Sequence, residues 1–129
     1  MRSADHHYAE IAFKHVSSLI GDSNAESYGQ LCHRFPIMVQ TNGLRLTIIF
    51  FQAKVKNQLK QSKVFDQYLQ HMQEVLGIDN WSKAVALQNA DYLHLTRKAL
   101  KASVWFKRYA EALLNVTQAN EMTSEAGDL

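Results

Sequence analysis

The stretch Leu44–Lys56 reads LRLTIIFFQAKVK, and the architecture turns on whether it is a strand or a helix. Its centre, Leu46-Thr47-Ile48-Ile49-Phe50-Phe51, is β-branched and aromatic, a composition that suits a pleated surface. Wound as a helix, the same stretch is apolar on nearly every side, the pattern of a helix buried at the centre of a bundle. Its length and its helical surroundings favour the helix. The expectation is an all-α, single-domain bundle with Leu44–Lys56 as a buried member.

Those surroundings are read from periodicity. On the N-terminal side, Ala4–Ile20 repeats Tyr8, Ile11, Ala12, His15, Val16, Leu19 and Ile20 at three- and four-residue spacing, with Gly21 placed to end the helix in a left-handed conformation. Ser23-Asn24-Ala25-Glu26 has the pattern of a capping box opening a second helix. Tyr28, Leu31, Cys32, Phe35 and Val39 are its apolar stripe, and Asn42-Gly43 ends it. Pro36 lacks an N–H and is expected to bend or break this helix near Cys32 or His33. On the C-terminal side, Gln58–Ser62 is a polar connection. Val64–Leu76 turns Phe65, Tyr68, Leu69, Met72, Val75 and Leu76 inward, and Gly77 closes it. Asp79 or Asn80 caps a short helix through Leu87.

The longest helix is expected over Tyr92–Leu114. Leu95, Ala99, Ala102, Phe106, Tyr109, Ala110 and Leu113 share one side of it, while Arg97, Lys101 and Arg108 fall within about 40° of one another on the opposite side. Trp105 lies beside the basic row. One helical domain spans 1–116, and 117–129 is a small, polar, acidic tail expected to fray.

With 129 residues and a hydrophobic fraction of 47%, the chain has material for one real core. No apolar run approaches a membrane span, and the N-terminus has no signal-peptide pattern. The lone Cys32 cannot pair within the chain, and a cytoplasmic location is expected. Net charge is only +2, but its distribution is uneven. Ser27–Phe65 holds Arg34, Arg45, Lys54, Lys56, Lys60 and Lys63, and Tyr92–Ala110 holds Arg97, Lys98, Lys101, Lys107 and Arg108. All 12 carboxylates lie outside these windows, and among the basic residues only Arg2, Lys14 and Lys83 do. Such segregation can make one face strongly positive on a nearly neutral protein.

Chemistry-bearing constellations are sparse. Asp5-His6-His7 has the letters of a phosphoesterase signature but opens a helix instead of following a strand, and lacks companion clusters. His71 and Glu74 share a helix face, yet no second Glu-x-x-His pair answers them, as a two-metal bundle needs. His33 beside Cys32 has no third group to orient it. There is no phosphate-binding glycine loop and no nucleophile elbow. The chain is read as no enzyme on its own, with no catalytic residues, no metal ligands and no cofactor.

Three stretches carry a family resemblance. They are Tyr28-x-x-Leu31 with Phe35-Pro36-x-Met38; Thr41-Asn42-Gly43-Leu44 running into Phe50-Phe51-x-Ala53-Lys54; and Leu95-Thr96-x-x-Ala99-Leu100-x-x-x-x-Trp105-Phe106-Lys107-Arg108-Tyr109-Ala110-Glu111-Ala112. Together they resemble the small, fifth subunit of the type III-B CRISPR effector, the Cmr or RAMP-module complex, over about Tyr8–Leu114. The resemblance implies an all-α domain of about six helices without catalytic activity. It implies copies stacked beside the guide-holding subunits, where they help form the groove for target RNA. Its partners would be other Cmr subunits, further copies of itself, and target RNA or the guide–target duplex, with neither membrane nor small-molecule substrate. Guide pairing supplies the sequence choice in such machines, so the protein reads backbone and shape. Lys54, Lys107 and Arg108 match basic positions of the family pattern; Arg45 and Lys101 are added from charge and helical geometry as RNA-binding candidates. Three other readings compete. One is a helical adaptor whose basic face meets an acidic protein. Another is a small metal-dependent hydrolase, and the last is the corresponding small subunit of type III-A complexes.

Overall fold

The computed structural model describes residues 3–57 and 61–117. Six helices follow one another: α1 (Ala4–Ser17), α2 (Ala25–Asn42), α3 (Leu44–Lys56), α4 (Ser62–Leu76), α5 (Trp81–Val85) and α6 (Asn89–Leu113). No strand occurs among the described residues, and the fold is all-α. Residues 58–60 and the expected acidic tail from 118 onward lie outside the described residues.

Leu44–Lys56 is helical from end to end. Gly43, at φ +88°, serves as both the last cap of α2 and the first of α3, so the two helices join without a loop. The buried Thr47 hydroxyl donates to the Gly43 carbonyl at 2.8 Å, which satisfies it inside the helix. The expected central position is corrected. Leu44, Thr47, Ile48 and Phe51 are buried, but Leu46 and Ile49 remain 59% and 50% exposed. α3 packs chiefly on α4 and α2, with α5 at its flank, and that covering reaches only one side.

The core is organised around Tyr68 of α4. Its ring lies 5.7 Å from that of Tyr28, 5.3 Å from Phe35, 5.9 Å from Phe51 and 5.8 Å from Phe106. Four helices therefore meet in one aromatic cluster, with tilted geometries that aromatic quadrupoles favour. Every α4 residue read as inward is buried: Phe65, Tyr68, Leu69, Met72, Val75 and Leu76. Cys32 is fully buried in the same core, and burial pushes its thiol pKa well up, so it behaves as a small apolar side chain.

Local punctuation departs from the sequence reading at three places. α2 runs unbroken through Pro36. Phe35 and Val39 on either side are buried, and that packing holds the turn that the missing N–H weakens. No Ser23 capping box forms: α2 starts at Ala25 after Asn24, and the Asp22 carboxylate accepts the Asn24 amide at 2.7 Å instead. α1 leaves α-geometry after Ser17 and continues as tighter turns, Leu19 N–H to Val16 O and Ile20 N–H to Ser17 O, before Gly21 reverses the chain at φ +80°. Gly77 closes α4 in the left-handed region and Asn80 caps α5 through the Lys83 amide, both as read.

α6 begins at Asn89, three residues before its expected start. After it, Asn115 takes φ +61° and the chain folds back on α2. Val116 donates its N–H to Ala110 O at 3.2 Å, and its carbonyl accepts from His33 Nε2 at 2.8 Å. Its side chain fills the space over Gly29, where an added Cβ would fall 2.6 Å from Val116.

Candidate nucleic-acid interface

α6 packs against α1, α2 and α4 through Leu95, Ala99, Ala102, Ser103, Phe106 and Ala110. Small residues at several of these positions let the neighbouring helices approach closely. The opposite face is left to solvent, and Arg97, Lys101 and Arg108 are exposed on it in one row. At 1.5 Å rise per residue the row spans about 16 Å. No carboxylate belongs to α6 between Asp91 and Glu111, so the row keeps its charge unopposed along its own helix. Val104 (40% exposed) interrupts it with apolar surface, and Leu93 (49%) precedes it by one turn. Sequence inspection missed both, because they sit in the helical phase assigned to polar residues.

The other candidate cations are placed differently. Arg45 is tied into the turn between α5 and α6. Its Nε donates to Val85 O at 2.8 Å and its Nη2 to Leu87 O at 3.0 Å, and the guanidinium lies 4.3 Å over the Tyr92 ring. The Tyr92 hydroxyl accepts the Arg45 amide at 2.9 Å. Arg45 thus closes the end of α5, where carbonyls lack helical partners. Lys54 is half-buried on α3 and lies 5.2 Å over Phe50. Lys107 is half-buried and projects to a different side of α6 from Lys101 and Arg108. The fold therefore gathers Arg97, Lys101 and Arg108 and leaves Arg45, Lys54 and Lys107 off that row.

The basic row borders an aromatic step. Trp105 is half-buried and its ring is 6.1 Å from Tyr109, which in turn meets Phe13 of α1 edge-on at 5.5 Å. Phe13 is 49% exposed. The sequence placed Trp105 beside the row, but nothing in it linked Phe13 to Tyr109 across two distant helices.

The histidines divide. His6 pairs with Glu10 at 3.7 Å on exposed α1 surface. His15 and His71 stack at 3.7 Å with only 11° between their rings. Glu74 bridges α4 to α1, with Oε1 3.0 Å from His15 Nε2 and Oε2 3.3 Å from Lys14 Nζ. His71 Nδ1 lies 2.7 Å from the Tyr28 hydroxyl. Burial first, then the neighbouring His15 and Lys14, lower the His71 pKa to about 4 against the pull of Glu74. A face-to-face stack aims the ring nitrogens in parallel, away from any shared point. Among the described residues no group of three His, Cys, Asp or Glu could hold a metal ion.

Fold and surface together define a small all-α domain that presents a basic helix face. Residues 4–113 match the model of the CRISPR-associated protein family Cas_Cmr5. The chain belongs to that family, the small subunit of type III-B Cmr effectors. It is 29% identical over 118 residues to the CRISPR system Cmr subunit Cmr5 of Thermus thermophilus, a match covering 88% of this chain and 98% of that protein. The X-ray crystal structure of a CRISPR-associated Cmr5 family protein from Thermus thermophilus is similar with a TM-score of 0.75 at 25% identity, covering 88% of this chain and 99% of that one.

Proposed function

We propose that this chain is a noncatalytic scaffold subunit of a Cmr effector, stacked in several copies so that its α6 faces line the groove for target RNA. The observation that carries this reading is the exposed Arg97–Lys101–Arg108 row on a carboxylate-free stretch of the longest helix. The family membership supplies the setting, since the Thermus relative is described as a Cmr subunit. Other Cmr subunits, further copies of this chain and target RNA are its partners, and the cytoplasm, where guide and transcript meet, is its place of work. Among the described residues, no helix is long and apolar enough to cross a membrane. Arg45 and Lys54 contribute at the flank. Arg45 does so mainly by fixing the α5–α6 turn, because its guanidinium is already engaged by two carbonyls.

The row offers guanidinium and ammonium donors, which hold phosphate oxygens by charge and hydrogen bonds. The test is a Lys101→Ala, Arg108→Ala double variant reconstituted into the complex. It should assemble normally, bind target more weakly, and show a shallower dependence of affinity on salt, with guide preference unchanged. Wild-type affinity across the salt series would remove RNA from this face. Failure to assemble would favour the second reading, an adaptor whose basic row meets an acidic protein surface.

A further inference from the structure

We infer that the Phe13–Tyr109–Trp105 step is a stacking platform for unpaired RNA bases, placed so that the strand's phosphates follow Lys101 and Arg108 while its bases turn onto the rings. The inference rests on the RNA-facing reading of α6 and adds to it a contact that phosphate binding alone does not require.

Three observations converge on it. The first is order around the helix. Relative to Trp105, Lys101 and Arg108 lie about 40° and 60° to one side and Tyr109 about 40° to the other. A surface crossed from the basic row therefore passes Trp105, then Tyr109, then Phe13 on α1. The second is ring geometry. Trp105 and Tyr109 are inclined by only 31° with centroids 6.1 Å apart, and Phe13 stands at 71° to Tyr109, forming the wall of the step. Phe13 and Tyr109 line a groove of about 390 Å³ with His6, Ala9 and Glu10, so the aromatic surface is open to an occupant. The third is the polarity of the two borders. Cations lie on the α6 side, and Glu10, 3.7 Å from His6, lies on the α1 side. A carboxylate repels phosphate but accepts the N–H groups of a base edge. The borders thus orient a strand with phosphates on the α6 side and bases on the α1 side.

This combination of a cationic track and adjacent rings is how proteins bind single strands without sequence preference, because every base has a π-face. It suits a subunit whose partner's sequence is chosen by guide pairing. It also selects a chemical state of the RNA: nucleotides that are unpaired or turned out of the guide–target duplex, because paired bases offer no free face.

The experiment uses the full chain at low salt. A labelled 12-nucleotide oligouridine is compared with an abasic RNA strand of equal length and equal phosphate number, by fluorescence anisotropy over a salt series. Wild type should hold oligouridine roughly tenfold more tightly than the abasic strand, the effect of about one stacked base. A Phe13→Leu, Trp105→Leu double variant should bind both strands as wild type binds the abasic one, with the salt slope unchanged. Lys101→Ala, Arg108→Ala should weaken both strands equally and flatten the slope. Equal wild-type affinity for the two strands overturns the platform while leaving the phosphate row standing. Binding of neither strand overturns the platform, because stacked rings would retain the oligouridine; the phosphate row, which acts through repeated copies, is judged by the double variant in the reconstituted complex. If the leucine variant fails to fold, crosslinking of 5-iodouridine RNA to the wild-type chain decides: adducts on Phe13, Trp105 or Tyr109 support the platform, and adducts only elsewhere sink it.

Discussion

Tyr68 puts a hydroxyl at the centre of the aromatic core, where no partner reaches it among the described residues. A buried polar group without a hydrogen bond costs about 1–3 kcal/mol, while the ring around it is well packed. Tyr68→Phe should therefore raise stability, by about 1 kcal/mol in urea unfolding; a loss of that size would show that the hydroxyl has a partner in solution. His71 makes a second prediction, from charge. Its pKa, lowered to about 4 from an ordinary 6.5, means the fold prefers the neutral ring. Its contribution is fully present above the unfolded value and declines as pH falls from about 6.5 toward 4. Glu74 acts in the same direction. Burial opposes, but the His15 and Lys14 contacts outweigh it and hold the Glu74 pKa below the usual range, so its contribution also fades in acid. Between pH 7.5 and 5, above the range where ordinary carboxylates titrate, wild type should lose more unfolding free energy than His71→Gln. Equal losses would mean that the stacked pair is not a stability determinant. His71 and Glu74 were visible in the sequence as a helical pair, but His15 and Tyr28, which give the pair its meaning, come from other helices and left no local signal.

Among the elements, legibility follows how local the cause is. Every residue expected on the inward face of α4 is buried, because its stripe is regular and Gly77 ends it with an αL turn; only Val64, in the first turn, is buried without having been expected there. The helicity of α3 was legible from its context, yet its exposed side was not: Leu46 and Ile49 look like core residues, and only the arrangement of α2 and α4 shows that nothing described in this chain covers them. The Ser23 pattern misled for a similar reason, since a local rule gave way to the Asp22 carboxylate, and of the bend or break expected at Pro36 the break does not occur, because packing on either side holds the helix together. The strap after α6 had no signature at all. It works through Gly29, whose missing Cβ admits Val116 from far along the chain. Helix propensity alone favours Gly29→Ala by about 1 kcal/mol. The structure reverses the sign, because the new methyl meets Val116 at 2.6 Å and must push the strap off His33. Overpacking of this kind costs about 1–3 kcal/mol, and adding Val116→Gly, which removes the Cβ as well as both methyls that the new group meets, should restore much of the loss. A double-mutant cycle with no coupling between the two sites would show that the strap does not rest on α2 in solution.

Across the whole molecule α6 gives one face to the core and the opposite face, with its basic row, to solvent. Substitutions on the row should leave the fold intact, and their effect should be confined to binding. Net charge of +2 hides this, because the acids cluster in stretches away from the two basic windows. The sequence showed the segregation, but could not show that Arg45 is occupied or that the row is continued by aromatic rings. If copies stack so that each α6 faces the same strand, phosphate contacts repeat from copy to copy. Each lost contact to a single strand lowers the slope of log affinity against log salt by about 0.7, so removing Lys101 and Arg108 should remove about 1.4 per copy. Complexes reconstituted from defined mixtures of wild-type and Lys101→Ala, Arg108→Ala chains should then show slopes that fall in proportion to the variant fraction. Affinity itself should fall more steeply, since contacts along one strand reinforce one another. A total slope change of only about 1.4 at full substitution, whatever the number of copies, would mean that one copy alone meets the RNA. A slope that never changes would mean that the row points elsewhere, and the stacked-groove reading would fall with it.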